Sequence, residues 1–289
     1  MAVVCEDLAQ YGVALIPPST EEYFALLADI EQRLQNRPKG GPPLEEGAVS
    51  RIAEHDTTGS AILVNRAPVA IASVAYVWTF RVKDGRETSA RHRPGPTRAL
   101  LPYGGDNRLP KFDLYWNTIF SGSKRLMTAE GRMYGDNTDV RPPDPDEVWY
   151  GGFMISSGSA WAGPSVPVKL TLDGVFFIDG GFAGPDRLAT WEETVFARET
   201  YLSCAKLARE ATDPGAFFTQ VRELTGFVDD QAPPPPGPLS APDLELLRGS
   251  ALWTVGQTVF WLRKYRGDEA AMKAVASWPD VPAPTLHKL

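Results

Sequence analysis

Acidic side chains cluster in one proline-interrupted segment of the chain, where a metal site is one interpretation. Carboxylate oxygens are the hard ligands that calcium prefers. The segment lacks the Asp-x-Asp-x-Asp-Gly spacing of an EF-hand, and its prolines limit how the carboxylates converge. We therefore favour a solvated acidic loop and keep calcium binding as the alternative. The calcium ligands in that alternative are Asp136, Asp139, Asp144 and Asp146.

A group of basic residues precedes this segment, with Arg91, His92 and Arg93 at its centre. Guanidinium groups bind phosphate and carboxylate in bidentate geometry, so these three residues are candidates for anion binding. The competing interpretation places them on a β-hairpin, where charges protect a sheet edge from pairing with other chains. We favour the hairpin, because the nearby aromatic residues alternate toward a core and do not interleave with the arginines as a base-stacking surface would.

Aromatic residues beside turns form the third candidate site. Trp149, Tyr150 and Trp161 do not follow a clean strand alternation, and binding residues concentrate on the loops of a rigid scaffold. Tryptophan and tyrosine are enriched at interfaces because each combines an apolar body with a polar group. We name these three as binding residues for a peptide or a carbohydrate, against the competing interpretation that they belong to the core.

The sequence carries no recognisable catalytic or cofactor motif. His55, His92 and His287 are the three histidines, and they lie far apart along the chain. Neither Cys5 nor Cys204 has a second cysteine or a histidine nearby, which argues against zinc. Gly-x-Ser-x-Gly is absent, and no glycine run has the spacing of a P-loop. We therefore assign no catalytic residue and no cofactor, and expect Cys204 to be buried in a helix.

Composition and charge limit the classes of function. With 43% hydrophobic and 22% charged residues, the 289-residue chain has the material for a full core. Its net charge of -7 argues against general nucleic-acid binding, which usually needs a basic surface. No uninterrupted apolar stretch reaches about 18 residues, so no membrane insertion is expected. The N-terminus lacks a signal-peptide pattern, which predicts a cytoplasmic location, although a chain whose leader had been removed would look the same.

An alternation with a period of two begins at about residue 48 and predicts strands. The best strand runs from Val69 to Lys83 and should be half buried, and Asp84-Gly85 predicts a tight turn into a partner strand over residues 87–92. Further strands are predicted over residues 61–66, 111–120, 126–134, 148–156, 166–172 and 175–178. Short strands separated by Gly- and Pro-rich turns, without intervening helices, favour an antiparallel β-sandwich over a parallel α/β sheet.

Helical periodicity occurs on both sides of the predicted strands, so the predicted fold class is α+β. Helices are predicted over residues 19–36, 190–211, 214–225, 243–265 and 268–278. Ser19 with Glu22, and Thr190 with Glu193, have the spacing of a capping box. An Asp-Pro start and a glycine stop bound the third helix.

These patterns divide the chain into five parts. They are an N-terminal helix and linker (1–47), an antiparallel β-sandwich (48–186), a helical pair (187–228), a proline-rich linker (229–242), and C-terminal helices with a loose tail (243–289). The linker contains APPPPGP, which predicts an extended polyproline spacer.

One short pattern resembles a known architecture. Leu63-Val64-Asn65-Arg66, followed by Ile71 and Trp78, is similar to immunoglobulin-like strands. The resemblance covers a small part of the chain and implies an immunoglobulin-like sandwich, and we assign no family from it.

The sequence shows clear patterns of strands and helices but no catalytic motif. This combination favours a non-enzymatic binding or assembly protein with a protein partner. The alternative is a hydrolase whose acidic residues meet only in the folded chain. That alternative requires two or more titratable groups that converge and have shifted pKa values. A third hypothesis is self-association through the C-terminal helices, because a helix with an apolar stripe must bury that stripe somewhere.

Overall fold

The structure is a computed structural model that describes residues 3–35, 59–92, 119, 122–129, 133–135, 166–228, 243–278 and 285–287. The chain divides into two compact units. The β-rich unit contains the described residues up to 175, and the helical unit contains those from 176 onward. No helix within these ranges combines the length and the apolar character needed to cross a bilayer.

Among the residues that the structure describes, the β-rich unit contains one helix and most of the strands. Its elements are β1 (Val4–Glu6), β2 (Val13–Ile16), α1 (Glu21–Gln35), β3 (Ser60–Asn65), β4 (Ile71–Arg81), β5 (Glu87–His92), β6 (Lys124–Thr128), β7 (Met133–Gly135) and β8 (Val166–Phe177), whose last two residues belong to the helical unit. One sheet has the order β2-β3-β6-β7 and is antiparallel throughout. In the other, β4 lies between β5 and β8, and β1 pairs with β8.

The mixed α+β class with two sheets is confirmed, but the expectation of purely antiparallel pairing is wrong. β1 pairs with β8 in parallel, from Val4 opposite Lys169 to Glu6 opposite Thr171. β1 was not predicted from the sequence, because a three-residue strand is too short to display an alternation. Residues 166–172 and 175–178, predicted as two strands, form the single strand β8, while 126–134 contains parts of two strands.

Helix α1 packs against the four-stranded sheet. The Thr20 hydroxyl accepts the backbone N–H of Tyr23 at 3.2 Å, so the cap is Thr20 and the predicted cap at Ser19 is wrong by one residue. Tyr23 and Ile30 are fully buried in the cluster formed with this sheet. The Tyr23 hydroxyl and Ser60 Oγ share a buried hydrogen bond of 2.5 Å, which connects the helix to β3.

Strand β4 is more deeply buried than its sequence predicts. Its Tyr76 and Trp78 side chains are buried as expected, but Ser73 and Ala75, on the opposite face, are buried as well. The prediction of a half-buried strand is therefore wrong over this part. The turn that follows is confirmed: Gly85 has φ of 83°, and β5 pairs antiparallel with β4.

Within the described residues, the helical unit contains four helices and two short strands. Its elements are β9 (Gly181–Ala183), α2 (Thr190–Glu210), α3 (Pro214–Thr225), α4 (Leu244–Arg266), α5 (Asp268–Ala276) and β10 (Thr285–His287). The four helices share one hydrophobic core, to which Tyr201, Cys204, Phe217 and Val259 belong. The expected burial of Cys204 is confirmed, and burial raises the pKa of its thiol to about 12.

Local capping signals are confirmed in α3. The Asp213 carboxylate accepts the backbone N–H of Ala216 at 2.7 Å, Pro214 is the first helical residue, and Gly226 ends the helix with φ of 62°. In α4 the predicted stripe is buried from Leu247 onward, whereas Leu244 is 51% exposed and does not belong to it.

The chain after residue 279 was predicted to be loose, and for residues 285–287 this is wrong. They form β10, which pairs in parallel with β9 from Thr285 opposite Gly181 to His287 opposite Ala183. The predicted strands over 148–156 and nearly all of 111–120, and the proline linker 229–242, lie outside the described residues.

Candidate functional site

Two carboxyl groups meet at the start of α2. The side chain of Glu192 is close enough to that of Asp186 to raise its pKa. Asp186 lies four residues before the helix and adopts a left-handed backbone with φ of 52°, which is uncommon for a residue other than glycine. This conformation lets its carboxyl group accept the backbone N–H groups of Thr190 at 2.8 Å and Trp191 at 3.1 Å. Asp186 therefore caps α2, and the predicted capping box of Thr190 with Glu193 is wrong.

The pKa of Asp186 is raised from its usual range to about 8. Burial is the largest cause, and the neighbouring carboxyl group of Glu192 raises the pKa further. The two backbone N–H groups act in the opposite direction. Asp186 therefore keeps its proton near neutral pH, as expected for a buried carboxyl group beside a group of like charge.

Two buried hydroxyl groups lie on the same helix turn. Thr190 and Thr194 are each about 1% exposed, and their Oγ1 atoms have no hydrogen-bond partner among the described residues. The same holds for Oε2 of Glu192. A protonated carboxyl group can donate a proton to a substrate, but capping of α2 already accounts for the position of Asp186.

The second candidate is an aromatic pair on the surface of α4. Trp261 and Tyr265 are 58% and 61% exposed. Their ring centroids are 6.1 Å apart at an interplanar angle of 86°, an edge-to-face contact that holds the two rings together. The buried residues of α4, such as Val255 and Val259, face the core of the helical unit. The two rings therefore form an apolar area outside that core.

The structure describes two of the six predicted binding residues. His92, the last residue of β5, stacks on the ring of Tyr76 with centroids 4.6 Å apart, and Arg91 is paired in register with Val77 of β4. Both lie on the predicted hairpin. Arg93, Trp149, Tyr150 and Trp161 lie outside the described residues, and so do the four predicted calcium ligands Asp136, Asp139, Asp144 and Asp146.

In the part of the chain that the structure describes, no group of three or more His, Cys, Asp or Glu side chains is arranged to hold a metal ion. Cys5 and Cys204 are both free thiols, and burial, with the charge of Asp7 as a smaller cause, raises the pKa of Cys5 to about 12.

Sequence reasoning missed both candidate sites. Trp261 and Tyr265 have the i, i+4 spacing of one helix face and fall off the apolar stripe, so the aromatic pair was detectable in the sequence. The Asp186–Glu192 pair was not, because the backbone conformation that brings the two carboxyl groups together is absent from any helix pattern.

Comparison with known proteins provides no relative from which a function could be inferred. No protein-family model matches this chain, and no curated protein or solved structure is significantly similar to it. The assignment of function therefore depends on the residues of this chain alone.

Proposed function

We propose that this protein is a non-enzymatic binding or assembly protein and that its helical unit makes the contact with a protein partner. The observation that carries the proposal is the exposed pair Trp261 and Tyr265. Trp and Tyr are the residues most enriched among those that dominate binding energy at protein interfaces. Exposed apolar residues that stand alone are ordinary, but two large rings in mutual contact form a continuous apolar surface.

The test is selection from a peptide-display library on the immobilised full chain. We expect the wild-type protein to enrich peptides whose affinity falls by at least about tenfold in Trp261→Ala with Tyr265→Ala. The matched control is Phe24→Ala, which removes a comparably exposed aromatic residue (53%) from the β-rich unit. Equal binding by the double variant and the wild type would refute the proposal.

A hydrolase is the second candidate function, and the specific observation in its favour is the Asp186–Glu192 pair. A carboxylic acid that keeps its proton near neutral pH is suited to general acid catalysis. Hydrolysis of aryl glycosides or esters by the full chain, lost in Asp186→Asn, would support this function. Activity that persists in Asp186→Asn, or the absence of activity in the wild type, would exclude the hydrolase function.

The β-rich unit is proposed to be an immunoglobulin-like sandwich. All six residues of β3 are buried, so each face of this strand is covered, and α1 covers one of them. The cytoplasmic location is likewise a proposal, supported by two free thiols, since oxidising compartments favour disulfides. Fractionation of source cells checks the location.

A further inference from the structure

The neighbours of Trp261 on the surface of α4 include one charged residue. Residues three and four positions apart on an α-helix are neighbours, so the neighbours of Trp261 on α4 are Gln257, Thr258, Lys264 and Tyr265. Lys264 is the charged residue among these four, and it is exposed. The charged side chain that flanks the aromatic pair on α4 is therefore a cation.

The next acidic residue along the chain does not cancel this charge, because it is already paired. Both carboxylate oxygens of Asp268 accept hydrogen bonds of 2.9 Å from the guanidinium group of Arg263. The same contact lowers the pKa of Asp268, so it stays ionised as the partner of Arg263. Arg266 adds a further positive charge to the last turn of α4, while Glu269 is exposed on α5.

The positive charges at this end of α4 have one explanation that needs no partner. Lys264 and Arg266 lie at the C-terminus of the helix, where cations complement the helix dipole. The helix dipole does not explain the exposure of Trp261, because its ring carries no charge. A partner that covers the rings accounts for both features.

We propose that the partner covering Trp261 and Tyr265 is an acidic protein segment that also carries apolar side chains. This inference rests on the proposed function and names the chemistry of its partner. Apolar side chains of the segment pack on the two rings, and its carboxylates approach Lys264. A second copy that packed through the same face is disfavoured as the occupant, because it would bring its own exposed Lys264 close to this one.

The experiment measures binding of two labelled peptides to the full chain by fluorescence anisotropy. In the first peptide Asp and Glu alternate with Leu and Phe, and in the second Lys replaces every acidic residue. We expect the acidic peptide to bind, with an affinity that falls as salt is raised. Lys264→Glu should weaken it about fivefold or more. The matched control is Lys206→Glu, at a lysine on α2 whose side chain is 73% exposed.

The outcomes separate this inference from the proposed function. If both peptides bind equally and both lose affinity in Trp261→Ala, the aromatic surface is a protein-binding site and the acidic preference is wrong. If Lys206→Glu weakens binding as much as Lys264→Glu, the effect is one of net charge and the inference is also wrong. If neither peptide binds while light scattering shows dimers that Trp261→Ala dissociates, the occupant is a second copy. If neither peptide binds and the chain remains monomeric, both the inference and the protein-binding role of the Trp261–Tyr265 surface are wrong.

Discussion

The side chains of Asp186 and Glu192 come close together at the start of α2, although the two residues lie on opposite sides of the first residue of the helix. Asp186 reaches the helix because its own backbone and that of Ala189 adopt left-handed conformations, with φ of 52° and 51°. Burial and the nearby carboxyl group of Glu192 both favour the neutral form of Asp186, so this residue keeps its proton near neutral pH.

The proton on Asp186 predicts a stability that depends on pH. Because its folded pKa is about 8, above the usual 3.8, the folded state binds more protons than the unfolded state between these values. The contribution is therefore complete below about pH 4 and is lost as the pH rises through 8. We expect the Tm of the full chain to fall between about pH 5 and 8, and Asp186→Asn to flatten this fall. Thermal unfolding followed by circular dichroism measures it.

The control for this prediction is Asp213→Asn, which alters the capping carboxylate of α3. It should leave the pH dependence unchanged. A wild-type Tm that stays constant or rises over this pH interval would contradict the assignment of the proton.

Gly256 lies where α4 approaches the end of α3. A Cβ atom at this position would lie 2.5 Å from Oγ1 of Thr225 and 2.7 Å from Cβ of Phe227. Gly256→Ala should therefore lower the free energy of unfolding by about 1–3 kcal/mol despite the better helix propensity of alanine. Urea denaturation is the measurement, with Glu223→Ala on the exposed face of α3 as the control. No loss of stability would show that the two helices can separate at no cost.

Gly12 has a left-handed backbone conformation and lies close to the backbone of Ala67. Its φ is 76°, and a Cβ atom would lie 2.8 Å from the backbone N of Ala67. Gly85 has a similar φ of 83° with nothing within 4 Å, so it isolates the strain alone. We expect Gly85→Ala to cost about 1–2 kcal/mol and Gly12→Ala about 1–3 kcal/mol more, because backbone atoms must move. Chemical denaturation of both variants tests this; equal losses would mean that the contact with Ala67 is relieved without cost.

Asn65, the last residue of β3, forms three side-chain hydrogen bonds with the backbone of other segments. Its amide Nδ2 donates to the carbonyl oxygens of Val69 at 3.0 Å and Ile119 at 2.8 Å, and its Oδ1 accepts the N–H of Ala67 at 3.0 Å. Asn65→Ala leaves these buried groups unpaired and should cost about 2–4 kcal/mol.

Asn65→Asp keeps the size and the acceptor but turns a negative oxygen toward two carbonyl groups. We expect this variant to be destabilised at neutral pH and to recover part of the loss on acidification, when the carboxyl group can donate a proton. Unfolding in urea at two pH values distinguishes the variants, since Asn65→Ala should show no such recovery. A fully stable Asn65→Asp at neutral pH would disprove the assigned orientation of the amide.

What the sequence alone determined about this protein is its local structure. The turn at Gly85, the start of α3 at Asp213 and its stop at Gly226 all depend on the conformational preference or hydrogen bonding of residues within a few positions, so they were predicted correctly. The α+β class follows from the same local periodicities.

Only the tertiary structure decided which distant segments meet. Pairing of β1 with β8 joins Cys5 to Leu170, and the burial of Ser73 depends on what covers the second face of β4. Asp186 caps α2 and has a raised pKa because of a left-handed backbone conformation and a burial that the surrounding fold imposes. The physical reason is that side-chain spacing reports a local period, whereas partners, burial and pKa values depend on contacts between residues far apart along the chain.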